Sequence, residues 1–330
     1  MKKRIMTLVL AAALLLSLAA CGGGENAPAP SAAVPQSGAA KTPDGTPSSD
    51  GTPSSDGAWS SGVILARDEM ENSGKCFYAD QLIAKDVRSV RFADSLKDAP
   101  KDAVDVSAKK DGSVLLWYEE KDSLFDVTIG AEGGVRANPN SAWMFGGLRQ
   151  AESIDLTHLN TSGVTSMAWF FAEDLNLASV DLTLLDTSSV TDMTKMFYFC
   201  RALPGIDVSS FDTRNVTTMF GMFDTASQSE INVSGLNTEN VTTMNSMFKN
   251  NHMVTLDVSS FHTENVATME SIFSNCESLT SLDLSGWDFS NLKNATSMFF
   301  CCTKLTDVGC ELSFPEGCSM NDAFYKSGLQ

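Results

Sequence analysis

The chain has 330 residues, 43% hydrophobic and 19% charged, which is enough apolar matter for a sizeable core and for two or three domains. That composition excludes global disorder. Asp and Glu total 41 against 23 Lys and Arg, a net charge of −18, so the surface repels phosphate backbones and nucleic-acid binding is excluded.

In chain order, Lys2-Lys3-Arg4 open a positive segment, residues 5–16 are almost wholly apolar, and Leu18-Ala19-Ala20 set small residues before Cys21. This reads as a secretory signal over 1–20, too short and wrongly flanked for a stable membrane span. It also resembles a bacterial lipobox. That resemblance implies a lipid on Cys21, which becomes the mature N-terminus, and a protein tethered to the outer face of a cell membrane. Residues 21–61 are rich in Gly, Ala, Pro, Ser and Thr, with GTPSSD at 45–50 repeated at 51–56. Such a stretch cannot bury enough apolar area to offset its ordering entropy, so it is expected to be a flexible linker spanning roughly 35 Å.

Residues 62–136 have the texture of strands. Val87 to Phe92, Val104 to Ser107, Ser113 to Tyr118 and Phe125 to Ile129 alternate or run apolar and β-branched, and Asp111-Gly112 is a hairpin signal. A small β-rich lead-in module is expected there.

From residue 137 to 330 the chain repeats. A Met-Phe slot stands at 144–145, 170–171, 196–197, 222–223, 247–248, 272–273, 298–299 and 323–324, at intervals of 25 or 26 residues. Each repeat opens on an alternating stretch such as Ser-Leu-Asp-Leu-Ser at 281–285, which puts Leu282 and Leu284 inward and Asp283 and Ser285 outward. A large apolar plug follows, at Leu159, Leu185, Phe211, Leu236, Phe261 and Trp287. Then come apolar residues at i, i+3, i+6 and i+7, as in Val241, Met244, Met247 and Phe248, which is a helical spacing. Gly163, Ser189, Asn215, Asn240, Asn265 and Asn291 precede that run and belong to the preferred helix N-cap set. The expected fold is therefore an α/β repeat solenoid. It is a right-handed coil with one short parallel strand and one short helix per 25–26 residues, strands on the concave side, and a C-terminal cap.

With these columns in place, the repeats resemble the BspA-like leucine-rich-repeat surface proteins, the variety common in bacterial lipoproteins. Residues 206–223, from Ile206 through the Asn215-Val216-Thr217 string to Phe223, carry the motif, and 125–147 resemble the family's lead-in. The slot of the usual asparagine ladder, three residues after the second strand leucine, holds Leu, Phe or Trp instead. The resemblance implies a cell-surface protein, and for some members adhesion to host or bacterial macromolecules.

The outward strand positions stack into rows. Asp155, Asp181, Asp207, Asn232, Asp257 and Asp283 form one, and Ser209, Ser234, Ser259 and Ser285 stand in the row beside it. One reading is a binding face for a basic protein or a glycan. The other is that each carboxylate bonds a turn amide or faces water. No multi-ligand calcium loop is present, and His158, His252 and His262 lack metal-ligand spacing, so no metal is expected. No nucleophile elbow, HExxH or phosphate loop occurs, so neither an enzyme nor a cofactor is expected. Cys200, Cys276 and Cys302 share one column and read as buried small residues. Cys301, Cys302, Cys310 and Cys318 cluster where a disulfide would staple the last repeats.

Overall fold

The computed structural model describes residues 62–67, 77–80 and 82–329. The signal segment, Cys21, the linker to residue 61 and Cys76 lie outside the described residues. Strand β1 (Val87–Ala93) pairs parallel with β4 (Leu124–Gly130), β4 pairs antiparallel with β3 (Leu115–Lys121), and β3 with the short β2 (Val104–Asp105). The β3–β4 hairpin closes through Asp122 and Ser123, both at positive φ, the two-residue turn whose twist suits paired strands. On the other side of β1 lies β6 (Ser153–Asp155), also parallel, so the first repeat completes a five-stranded mixed sheet of order β2-β3-β4-β1-β6. Further on, β5 (Val135–Arg136) pairs with β7 (Leu159–Asn160), and β8 (Ile206–Asp207) with β9 (Ile231–Asn232).

The α/β solenoid expected from the spacing is not what the chain builds. Among the described residues there is no α-helix, only 3₁₀ turns at Ala84–Asp86 and Leu182–Leu184. The strands are few and short, and most repeats are joined by single parallel bridges, such as the series Asn140, Ser166, Asp192, Thr218, Thr243, Thr268, Asn294, Ser319. The segments read as helices are tandem turns. Ser246 and Asn250 have φ of 55° and 59°, and Lys195/Phe199, Ser271/Asn275 and Ser297/Cys301 repeat that pairing. An α-helix needs φ near −63° at every residue and excludes such positions. The local bonds reach back three residues, Met247 N to Met244 O (3.2 Å) and Lys249 N to Ser246 O (3.2 Å). Between them, Ser246, Phe248 and Asn250 donate to Glu270, Ile272 and Ser274 of the next repeat at 2.8–2.9 Å. A succession of three-residue turn closures thus imitates the helical period, while alternate amides bind the neighbouring repeat, which a helix could not allow.

The expected helix caps do a different job. Asn215, Asn240, Asn265 and Asn291 donate from Nδ2 to Ser188, Arg214, Glu239 and Glu264, each in the preceding repeat, at 2.7–2.8 Å. An asparagine ladder therefore exists, in another column than the usual one. A threonine ladder runs beside it. Thr213, 1% exposed, donates to Asn237 O and accepts from Asn237 N, both at 2.8 Å, and Thr161, Thr187, Thr238 and Thr263 make the same reciprocal pair. Each such buried hydroxyl meets both the N–H and the C=O of one residue in the next repeat, through part-buried bonds.

The core is a spine of phenylalanines. Rings of Phe145, Phe171, Phe197, Phe223, Phe248, Phe273, Phe299 and Phe324 stack in sequence with centroids 5.5–5.8 Å apart. Met222, Met244 and Met247 fill around it, fully buried, as the spacing suggested. The plugs at Phe261 and Trp287 stack at 6.1 Å. Cys200, Cys276 and Cys302 are buried, and no disulfide forms among the described cysteines, so none staples the last repeats.

Candidate binding face

The row Asp155, Asp181, Asp207, Asn232, Asp257 and Asp283 is exposed throughout, as are Ser209, Ser234, Ser259 and Ser285. Each acid or amide accepts from the backbone N–H two residues on: Thr157 to Asp155 (2.9 Å), Thr183 to Asp181 (3.1 Å), Ser209 to Asp207 (2.9 Å), Ser234 to Asn232 (3.2 Å), Ser259 to Asp257 (3.0 Å) and Ser285 to Asp283 (3.0 Å). These are Asx turns, and they turn the chain from the strand position towards the plug. Hydroxyls add to them at Thr183, Ser234 and Ser259, at 2.6, 2.9 and 2.7 Å. The Ser209, Ser259 and Ser285 hydroxyls and amides hold the carboxyls of Asp207, Asp257 and Asp283 below the usual carboxylate range. Asp257 also feels Asp283, which acts in the opposite direction. The turn bonds dominate because like charges one repeat apart are screened by water at an exposed surface.

The row is not uniform. At Leu182–Leu184 the repeat pattern gives way to a 3₁₀ turn, and Leu184 stands 44% exposed. There the face carries a hollow of about 530 Å³ lined by Ile154, Asp155, Val180, Asp181 and Leu184. A second, of about 270 Å³, is lined by Asp181, Leu203, Gly205 and Asp207. Three carboxylates thus flank an apolar part of the face. His262, which stands where other repeats carry Asp212 and Asp288, lies 3.7 Å from Glu264 through Nδ1. Among the described residues, no group of three or more His, Cys, Asp or Glu is placed to hold a metal ion.

Two features carried no spacing signal. Trp143 stacks on Trp169 at 4.5 Å on the turn side of the first repeats, with Lys195 Nζ 4.4 Å from the Trp169 ring and 4.6 Å from Tyr198. Arg67, 9% exposed, lies under the first repeat and donates from Nη1 to the carbonyls of Trp143 (2.6 Å) and Gly146 (2.9 Å).

Residues 140–237 and 227–328 each match one family, described as a Mycoplasma protein of unknown function, DUF285. Together the two matches cover more than half of the chain. The chain belongs to the DUF285 family. The DUF285 matches overlap at 227–237, inside the repeat of β9, and between them take in every acid of the exposed row. No curated protein and no solved structure matches the chain.

Proposed function

We propose that this DUF285 protein is a BspA-like surface protein of a bacterial cell, held to the membrane through a lipid on Cys21, that binds a basic protein or a glycan through its acidic face in the manner of an adhesin. The observation that carries the reading is the exposed row of five carboxylates, with Asn232 in the sixth place, held by Asx turns beside the hollow at Leu184. The turn bonds engage Oδ1, and the second oxygen serves an outside donor. A charged row with an apolar centre suits a partner with basic groups around an aliphatic or aromatic tip. The competing reading is an envelope spacer without a ligand, and the use of every carboxylate inside its own turn speaks for it.

The deciding experiment measures binding of the purified mature chain to matrix proteins, plasma proteins and glycans, at low and physiological salt. Its control is a variant carrying Asp181→Asn, Asp207→Asn, Asp257→Asn and Asp283→Asn. Asn232 already closes this turn through its own side-chain oxygen, so the variant keeps the fold and loses only charge. Binding is expected to weaken with salt and to fall at least tenfold in the variant. Undiminished binding by the variant would place the site elsewhere, and no binding by either protein would leave the spacer reading ahead. The anchor is tested separately. Cys21→Ser should move the protein from the detergent phase to the aqueous phase in phase partitioning, and retention in the detergent phase would rule out a lipid at that residue.

A further inference from the structure

Asp174 stands in a column of its own kind, three residues after the phenylalanine of each Met-Phe slot. At four positions of that column a side chain donates to the carbonyl of the phenylalanine in the repeat before. Cys200 Sγ donates to Phe171 O (2.9 Å), Asn251 Nδ2 to Phe223 O (2.7 Å), Cys276 Sγ to Phe248 O (3.1 Å) and Cys302 Sγ to Phe273 O (3.0 Å). Asn251 shows the complete arrangement, because its Oδ1 also accepts from Gln228 N at 3.0 Å. Asp174 is wholly buried and makes the accepting half, taking Leu148 N at 2.9 Å on Oδ1. Its Oδ2 is buried with no hydrogen-bond partner. The carbonyl corresponding to Phe171 and Phe223 is that of Phe145, which accepts a long bond from Leu148 N (3.3 Å).

We propose that Asp174 is held as the neutral acid, its proton on Oδ2 and donated to the Phe145 carbonyl, and that the protein therefore loses folding stability between acid and neutral pH, where the unfolded carboxyl ionises and the folded one does not. A carboxylate there would bury a charge in the interior and leave its second oxygen without a hydrogen-bond donor. Burial pushes the Asp174 carboxyl well above the usual carboxylate range. The charged and titratable groups facing it are Arg67 from the segment below, which acts the other way, Glu173 beside it, which adds to the rise, and Cys200 above it; Tyr78 faces Arg67. Glu173 is itself paired with Arg149 at 2.5 Å.

The sign follows from linkage. Below about pH 4 the unfolded chain is protonated as well, and this group costs nothing. As pH rises the unfolded carboxyl ionises while the folded one does not, so the folded state loses ground until its own higher pKa is reached. Asp174→Asn replaces the proton with an amide that makes the same two bonds at every pH. The test is thermal unfolding of the full chain and of Asp174→Asn from pH 4 to pH 8. The expected result is equal midpoints near pH 4 and a gap in favour of the variant that widens with pH, reaching at least about 2–4 °C. A variant less stable than the wild type at pH 7, or a gap that does not change with pH, would show an ionised Asp174 paired to the field of Arg67 and overturn the proposal. A measurement on the wild type stands independently of the variant's folding. With isotope-labelled aspartate, the infrared carbonyl stretch of a protonated carboxyl should be present at pH 7, and its absence would equally overturn it.

Discussion

Phe223→Ala is expected to destabilise the protein by about 3–5 kcal/mol, the cost of removing a large buried ring that its surroundings cannot close over. For a body of this size that is a drop in Tm on the order of 10 °C. Phe223 is fully buried in the middle of the spine, with Phe197 at 5.8 Å on one side and Phe248 at 5.6 Å on the other, both close to parallel. Truncation therefore removes two stacking contacts together with the buried area, and it does so where repeats on both sides depend on the same interface. The neighbouring backbone is pinned, since Phe223 N donates to Met247 O at 2.9 Å and Phe223 O takes Asn251 Nδ2 at 2.7 Å, so the cavity cannot collapse cheaply. Phe223→Leu should recover about half of the loss. Urea denaturation measures both, and a loss below about 1 kcal/mol for the alanine variant would mean that the spine is not where the stability resides.

Arg67→Met is expected to cost roughly 3 kcal/mol, from two charge-assisted hydrogen bonds of about 1.5–3 kcal/mol each less the desolvation recovered. The reason lies in the direction of the turn segments. In later repeats the carbonyls at these positions are met by the repeat before: Ala168 O by Trp143 N (2.9 Å), Phe170 O by Phe145 N (3.0 Å) and Ala172 O by Gly147 N (2.7 Å). The first repeat has no repeat before it, and Gly146, the counterpart of Ala172, receives Arg67 instead. Burial draws the guanidinium pKa down, against the fields of Tyr78 and Asp174, and the Phe77 ring lies 5.4 Å from it. Methionine fills the space but removes the donor to the Gly146 carbonyl, while Trp143 O keeps its bond from Gly146 N (3.0 Å). Arg67→Lys should restore only part of the loss, because a point charge lacks the planar fork that meets two acceptors at once. Hydrogen exchange at 143–148 should quicken in both variants before exchange at 244–251 does. Uniform quickening along the chain would show that Arg67 acts on the whole body and not on its first repeat.

Much of this architecture was legible in the residues, at one level. The 25–26-residue interval, the inward Leu282 and Leu284, the outward Asp283 and the buried plugs all follow from alternation and volume. What periodicity could not separate was a helix from tandem turns. Met244, Met247 and Phe248 face inward under either, because a turn that closes on its third residue brings side chains to one side almost as a helix does. The discriminating signal was on the polar positions between them. Ser246 and Asn250 are poor helix-interior residues, and Asn in particular tolerates the left-handed region that the turns require. Asn215 and its counterparts were read as caps because a cap and a ladder ask for the same short polar side chain. The threonine at 161, 187, 213, 238 and 263 is an unbroken polar column between apolar ones, a signal of a buried hydroxyl that was present and not used. Arg67 and Asp174 were out of reach, since their partners are 76 and 26 residues away.

The ladders have a consequence for how such a chain can change its length. Thr213 bonds residue 237, Asn240 bonds residue 214, and Ser246 bonds residue 270, so each rung reaches one repeat away and no further. Duplicating or deleting a stretch of one whole repeat presents every rung with a partner identical in kind, and leaves no donor or acceptor stranded. An insertion of ten residues would strand every rung that crosses it. Copy number is therefore free to drift in descendants of this sequence while spacing is held rigid, and the number of carboxylates on the exposed row drifts with it. The segment carrying Arg67 has no such freedom, since it fits only a first repeat.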